Sequence, residues 1–153
     1  MMKLFFAICI AGIFLSCKKS DDRCLETNYS APSSEVAELA SYVPNDAIQH
    51  PNGFYYRILG SGFGIKPTIC STVTVKYIGY SLPDNKIFDV ATNAVSFSLG
   101  QLIIGWQKGL PLIGEGAEIE LYLPPSLAYG PTGSGNIAPN AYLRFNIQLI
   151  DVQ

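Results

Sequence analysis

Val73-Thr74-Val75-Lys76-Tyr77-Ile78-Gly79-Tyr80 is the stretch that decides how this chain is read. Val73, Val75 and Tyr77 fall two residues apart, the side-chain repeat of an extended backbone, so a strand over 72–80 puts all three on one face. β-Branched and aromatic residues fill the run, as a pleated, half-buried surface favours. Toward the C-terminus, Pro83-Asp84-Asn85-Lys86 makes a turn, Ile87-Phe88-Asp89 resumes extended structure, and residues 95–99 form another short strand closed by Gly100. Ala117, Ile119, Leu121 and Leu123 alternate with Glu118, Glu120 and Tyr122, the pattern of a half-buried strand, and Pro124-Pro125 stops it. The last strand turns Leu143, Phe145, Ile147 and Leu149 inward, against Arg144, Asn146 and Gln148. Toward the N-terminus, Gly53-Phe54-Tyr55-Tyr56-Arg57-Ile58-Leu59 is rich in strand-forming residues. Within this body a helix fits only at 102–113, where Gly109 and Pro111 keep it short. The expected fold class is α+β: a mostly antiparallel sheet with one wet face and one face covered by a short helix.

Ahead of the body, Val36, Leu39, Ala40 and Val43 lie at i, i+3, i+4 and i+7, which predicts a short amphipathic helix. Ser33 or Ser34 is the expected cap, Glu35 suits the first turn, and Pro44 ends the helix. Residues 34–50 are therefore an N-terminal extension packed on a body of residues 51–153, and the polar residues 17–33 are a tether. Gly60, Gly62 and Gly64 form a turn-prone loop, not a phosphate-binding one, because no Gly-Lys-Ser/Thr follows.

Composition sets the outer bounds. The 153 residues are 48% hydrophobic and 14% charged, with eight Phe, nine Tyr and one Trp, which is enough apolar matter for a core and too little charge for a disordered chain. A net charge of −2 leaves no broad basic surface, so no nucleic-acid partner is expected. Lys3 precedes an apolar run over 4–15, too short to span a bilayer but suited to a signal peptide. The run ends in Phe14-Leu15-Ser16-Cys17, which resembles a bacterial lipobox. That resemblance implies cleavage after residue 16, acylation of Cys17, and a protein held in the cell envelope at the outer membrane, on its periplasmic or surface face. Several acyl chains on one Cys hold a protein stably where a single chain would not. The charged residues 18–22 read either as a sorting tag or as plain tether. With Cys9 leaving in the signal and Cys17 acylated, Cys24 and Cys70 remain; a disulfide between them is expected in an oxidising compartment, two buried thiols being the alternative. No metal site is expected, since His50 is the sole imidazole and no paired Cys spacing exists.

The run 73–80 resembles the V-x-V-x-Y-x-G strand of FKBP domains. Further pieces follow in that family's order: Phe88-Asp89, Phe97-Ser98-Leu99-Gly100, Ile103-Ile104-Gly105-Trp106, Gly109-Leu110, Leu123-Pro124, Leu127-Ala128-Tyr129-Gly130, Ile137-Ala138-Pro139-Asn140-Ala141, Leu143 and Phe145. The resemblance covers residues 54–152. It implies a curled antiparallel sheet of five to six strands around one short helix. It also implies peptidyl-prolyl cis-trans isomerase activity on proline-containing polypeptides, no cofactor, and macrolide inhibitors that take the substrate's place. Carried over by position, the resemblance makes Trp106 the floor of a proline-binding pocket, with Tyr77, Phe88 and Phe145 as walls. The Ile103 N–H and Tyr129 hydroxyl would hold peptide carbonyls, and Asp89 would orient the site through hydrogen bonds, one of them to Tyr77. Val95, Leu102 and Ile137 would complete the substrate surface. Phe97 is expected to be core only. Asp89, between Phe88 and Val90, would be costly to bury without a partner. Three departures stand out: Val95 where the family often has an aromatic, Ala138 where Pro is usual, and a short 131–136 loop without aromatic or His.

These residue types suit the reaction. The Xaa-Pro amide must rotate past a barrier of about 18–20 kcal/mol set by C–N double-bond character. No bond breaks, so neither nucleophile nor metal is required. The perpendicular amide is less dipolar than the planar one, so a dry aromatic pocket favours it. A 10⁴-fold acceleration, as an order of magnitude, asks for about 5.5 kcal/mol of preferential binding to the twisted amide. Two rival readings share the pocket: a proline-peptide-binding chaperone module with little turnover, and a lipoprotein that captures a small apolar ligand. A Ser-His-Asp hydrolase is not expected, because His50 lies next to Pro51, ahead of the sheet and far in sequence from any nucleophile.

Overall fold

The computed structural model describes Leu25 and residues 27–153. The expected signal peptide, Cys17 and Cys24 lie outside the described residues. Six strands, β1 (Ile48–Gln49), β2 (Tyr55–Gly60), β3 (Thr72–Ser81), β4 (Lys86–Ser98), β5 (Glu118–Leu123) and β6 (Leu143–Val152), form one sheet in the order β1-β2-β5-β6-β3-β4. Every pairing is antiparallel. Two helices, α1 (Ser33–Leu39) and α2 (Ile104–Gly109), accompany it. The α+β expectation holds, and the curled sheet carries one short helix on its apolar face.

The alternation in β3, β5 and β6 builds that face. Val73, Val75, Ile119, Leu121, Leu123, Leu143, Ile147 and Leu149 are fully buried, with Phe145 among them. Helix α2 lies across them at very close range, which two glycines permit. A Cβ on Gly105 would overlap Leu123, and one on Gly109 would come within 2.6 Å of Leu121 Cδ1. Their i, i+4 spacing puts both on the helix face that meets the sheet. The helix is only six residues long; a 3₁₀ turn at Leu110–Leu112 continues it, and another at Leu99–Gln101 precedes it, separated by extended Leu102 and Ile103.

Four features differ from the sequence reading, each for a physical reason. The two extended pieces expected at 87–89 and 95–99 are one 13-residue strand, β4. It is an edge strand with much of its length exposed, and its register against β3 shifts between Val75 and Tyr77 and again between Gly79 and Tyr80. Such irregularities break the two-residue repeat and hide a strand from pattern reading. β5 is not half-buried: Glu120 is 5% and Tyr122 3% exposed. Their face is covered by α1 and the turn after it, through a second small core of Leu39, Tyr122 and Tyr142 joined by Tyr42, Val43, Tyr55 and Leu82. Glu120 survives burial because Tyr122 donates to it at 2.6 Å and Arg57 and Arg144 pair with it at 3.3 and 3.7 Å. Helix α1 starts from Pro32 without a side-chain cap, so neither Ser33 nor Ser34 has the expected role, and it ends at Leu39, short of Ala40 and Val43. Lastly, β1 adds a two-residue edge beside β2 that carries no pattern of its own. Cys70 is disulfide-bonded, while Cys24, its expected partner, lies outside the described residues.

Candidate active site

Where Trp106 of α2 reaches over Tyr77 of β3 and Phe145 of β6, the aromatic side chains do not fill the layer. They enclose a cavity of about 130 Å³, bounded by Tyr77, Asp89, Phe97, Leu102, Ile103, Trp106, Tyr129 and Phe145. Sites for drug-sized ligands run to roughly 300–1,000 Å³, so this hollow suits one small ring. Trp106 projects from α2 into its base and is 4% exposed. Three rings meet it edge-on: Tyr77 at 5.2 Å and 85°, Phe145 at 5.3 Å and 89°, and Phe97 at 6.5 Å and 87° between centroids. Edge-to-face geometry is what the ring quadrupoles favour, and it holds the indole in place from three sides. The Trp106 Nε1 is buried without a protein partner.

The polar groups sit at the rim. Tyr77, on β3, donates its hydroxyl to Asp89 Oδ2 at 2.6 Å, and the Val90 N–H donates to Asp89 Oδ1 at 2.9 Å. Gly79 and Asp89 are paired in the register, which brings the carboxylate across to the Tyr77 phenol one pleat away. Asp89 is itself exposed, so the expected burial cost does not arise; it is a solvated carboxylate that orients a half-buried phenol. Burial raises the Tyr77 phenol well above its ordinary value, helped by its hydrogen bond to Asp89 and that carboxylate's charge. Burial, and then the charge of Asp89, also raises Tyr129. Both hydroxyls are thus kept as neutral donors. Ile103 stands at the start of α2 in extended conformation, its carbonyl accepting from the N–H groups of Trp106 and Gln107 at 2.9 and 3.2 Å. The Gln107 side chain donates to the Leu102 carbonyl at 2.7 Å, fixing the turn that presents both Leu102 and Ile103.

Of the ten residues expected at the site, the cavity unites Tyr77, Asp89, Leu102, Ile103, Trp106, Tyr129 and Phe145. Phe88, Val95 and Ile137 lie outside its lining. Phe88 packs edge-on against Phe145 at 5.5 Å and borders a separate depression with Ser81, Lys86, Ile87 and Asn136. That packing needs Gly79, where a Cβ would come within 2.6 Å of the Phe88 ring. Val95 faces Val75 in the register and packs against the core, and Ile137 packs there too while pairing with Ser134. Phe97, expected to be core only, is among the residues that line the cavity. It lies two residues from Val95 on the same face of β4, and that spacing was the signal available.

Residues 64–150 match the family model described as FKBP-type peptidyl-prolyl cis-trans isomerase. The outer membrane protein MIP of Legionella longbeachae is 41% identical over 107 residues, covering 67% of this chain and 46% of that protein. The FKBP-type peptidyl-prolyl cis-trans isomerase FkpA of Escherichia coli K12 is 40% identical over 104 residues, covering 66% of this chain and 38% of that one. The chain thus spans less than half the length of these two relatives. A peptidyl-prolyl cis-trans isomerase from Pseudomonas syringae pv. tomato superimposes with a TM-score of 0.72 at 34% identity, covering 81% of this chain and 98% of that structure. With the family match extending over more than half its residues, this chain belongs to the FKBP-type peptidyl-prolyl cis-trans isomerase family.

Proposed function

We propose that the domain accelerates cis-trans rotation of Xaa-Pro bonds in envelope or secreted proteins, with a lipid on Cys17 holding it at the membrane. The observation that carries this reading is the cavity: a small, aromatic-walled hollow over Trp106 with neutral hydroxyl donors and one carboxylate at its rim. In this reading the prolyl ring lies on the indole between Tyr77, Phe97 and Phe145. The Ile103 N–H and the Tyr129 hydroxyl take peptide carbonyls and hold the chain bent toward the twist. Asp89 fixes the Tyr77 hydroxyl, so the polar edge needs no reorganisation as the amide rotates. Water excluded from the hollow no longer favours the planar, more dipolar amide. Macrolide inhibitors of the family would enter the same hollow. The relative named as an outer membrane protein supports the envelope location.

The test is the isomerisation rate of an Xaa-Pro peptide with wild type, Asp89→Val and Tyr129→Phe. Wild type is expected to accelerate exchange clearly, and both variants to weaken it while remaining folded. Rates equal to the blank with folded wild type would overturn the reading in favour of a binding module. Anchoring has its own test: labelled palmitate is expected to enter wild type and not Cys17→Ser, and no incorporation into wild type contradicts acylation.

A further inference from the structure

Tyr129 is carried on the 124–142 loop between β5 and β6. That loop is braced internally: Asn140 N–H donates to the Gly130 carbonyl at 2.9 Å, and Ser134 and Ile137 exchange backbone hydrogen bonds at 3.0 and 2.8 Å. Fully buried Leu127 gives it a hydrophobic anchor, which fixes depth but not direction. Directional contacts come from α1. Pro124 and Pro125 lack N–H groups, so Ser126 is the first residue after β5 with a backbone donor, and that donor goes to Glu35 Oε2 at 3.0 Å. At the other end, the Tyr142 hydroxyl donates to Glu38 Oε2 at 3.0 Å, while the Tyr142 carbonyl accepts from Leu82 N–H at 2.9 Å. Glu35 and Glu38 are three apart and share one side of α1. They meet the two feet of the loop from 91 and 104 residues away in the chain. Neither borders the cavity.

We propose that Glu35 and Glu38 are positioning residues: α1 grips both feet of the loop and thereby sets where the Tyr129 hydroxyl stands over the cavity. This rests on the reading that Tyr129 holds a substrate carbonyl. A hydroxyl displaced by about 1 Å from a productive geometry can cost two orders of magnitude in rate, so a modest loosening should be measurable. The N-terminal extension is then part of the catalytic apparatus without touching substrate.

The experiment compares wild type, Glu35→Ala and Glu35→Gln on an Xaa-Pro peptide, each also in a Tyr129→Phe background, with amide hydrogen exchange on all of them. Glu35→Ala is expected to lower kcat/KM about five- to tenfold, mostly through kcat, the loss of one charge-assisted hydrogen bond. Glu35→Gln keeps an acceptor oxygen and is expected to recover to within about twofold of wild type. Once Tyr129 is Phe, Glu35→Ala should cost less than about twofold more, because both changes remove the same contribution. Full additivity overturns the proposal. Exchange separates this from failure of the isomerase reading: Glu35→Ala should speed exchange at residues 126–130 and leave β3 and β6 unchanged, whether or not turnover is seen. Unchanged exchange at the loop, or equal acceleration throughout the sheet, overturns it as well.

Discussion

Replacing Trp106 by Leu separates a pocket floor from an ordinary core residue. The change removes three edge-on ring contacts, with Tyr77, Phe145 and Phe97. At about 0.5–1.5 kcal/mol each, these sum to about 1.5–4.5 kcal/mol. Removal also deletes an indole N–H that is buried without a protein partner, which returns about 1–3 kcal/mol. The net of these two contributions is a loss of at most about 3.5 kcal/mol, against the roughly 5–15 kcal/mol typical of a domain, so the variant should fold. Urea unfolding should show a lower midpoint with an unchanged slope. Isomerisation should suffer out of proportion: without a flat floor the prolyl ring loses its seat, and kcat/KM is expected to fall by about tenfold or more. A variant destabilised as calculated, yet within twofold of wild type in kcat/KM, would show that Trp106 only fills the core and would refute the argument.

Three further outcomes follow from particular contacts. Tyr77→Phe leaves exposed Asp89 to water, so stability should change by less than about 1 kcal/mol while kcat/KM falls several-fold; equal loss of both in paired denaturation and rate assays would contradict the orienting role. Gly105→Ala forces a methyl group into Leu123, and about 1–3 kcal/mol of stability should be lost in urea unfolding, with no loss meaning that α2 can lift off the sheet freely. Burial, with the Glu120 hydrogen bond and charge, pushes the Tyr122 phenol up to about 12. Its folded value lies above the unfolded value near 10, so its contribution is intact below about pH 10 and lost as pH rises from there through about 12. Urea midpoints across that window should fall for wild type and fall less for Tyr122→Phe; identical slopes would contradict this assignment.

The parts of the molecule legible in the sequence are those where one local rule acts alone. β3 and β6 alternate cleanly because one face meets the core, and α2 is bounded by a glycine and a proline. The grouping of residues around the candidate cavity was legible wherever the family's order could be laid over the chain, since Tyr77, Asp89, Trp106 and Tyr129 come from separate segments that no periodicity links. What stayed hidden depends on long-range packing. β4 hides because an edge strand with two register shifts shows no constant repeat. Glu120 and Tyr122 read as solvent-facing because the cover over them, α1 and its turn, lies more than 75 residues earlier in the chain. Asp89 reads as buried between apolar neighbours, but Val90 and Ile87 are themselves exposed on that edge. Glu35 looks like a helix-dipole residue, and nothing local reveals that its carboxylate reaches Ser126.

The proposed isomerase activity requires a prolyl ring seated against Trp106, the chain's one tryptophan. The most direct test is exchange and NOE spectroscopy of an Xaa-Pro peptide mixed with the folded protein. Cis-trans exchange cross-peaks absent from the peptide alone are expected, together with NOEs from the prolyl ring protons to the Trp106 indole and to Tyr77 or Phe97. Exchange at the uncatalysed rate, or prolyl NOEs confined to residues outside the cavity, would contradict it.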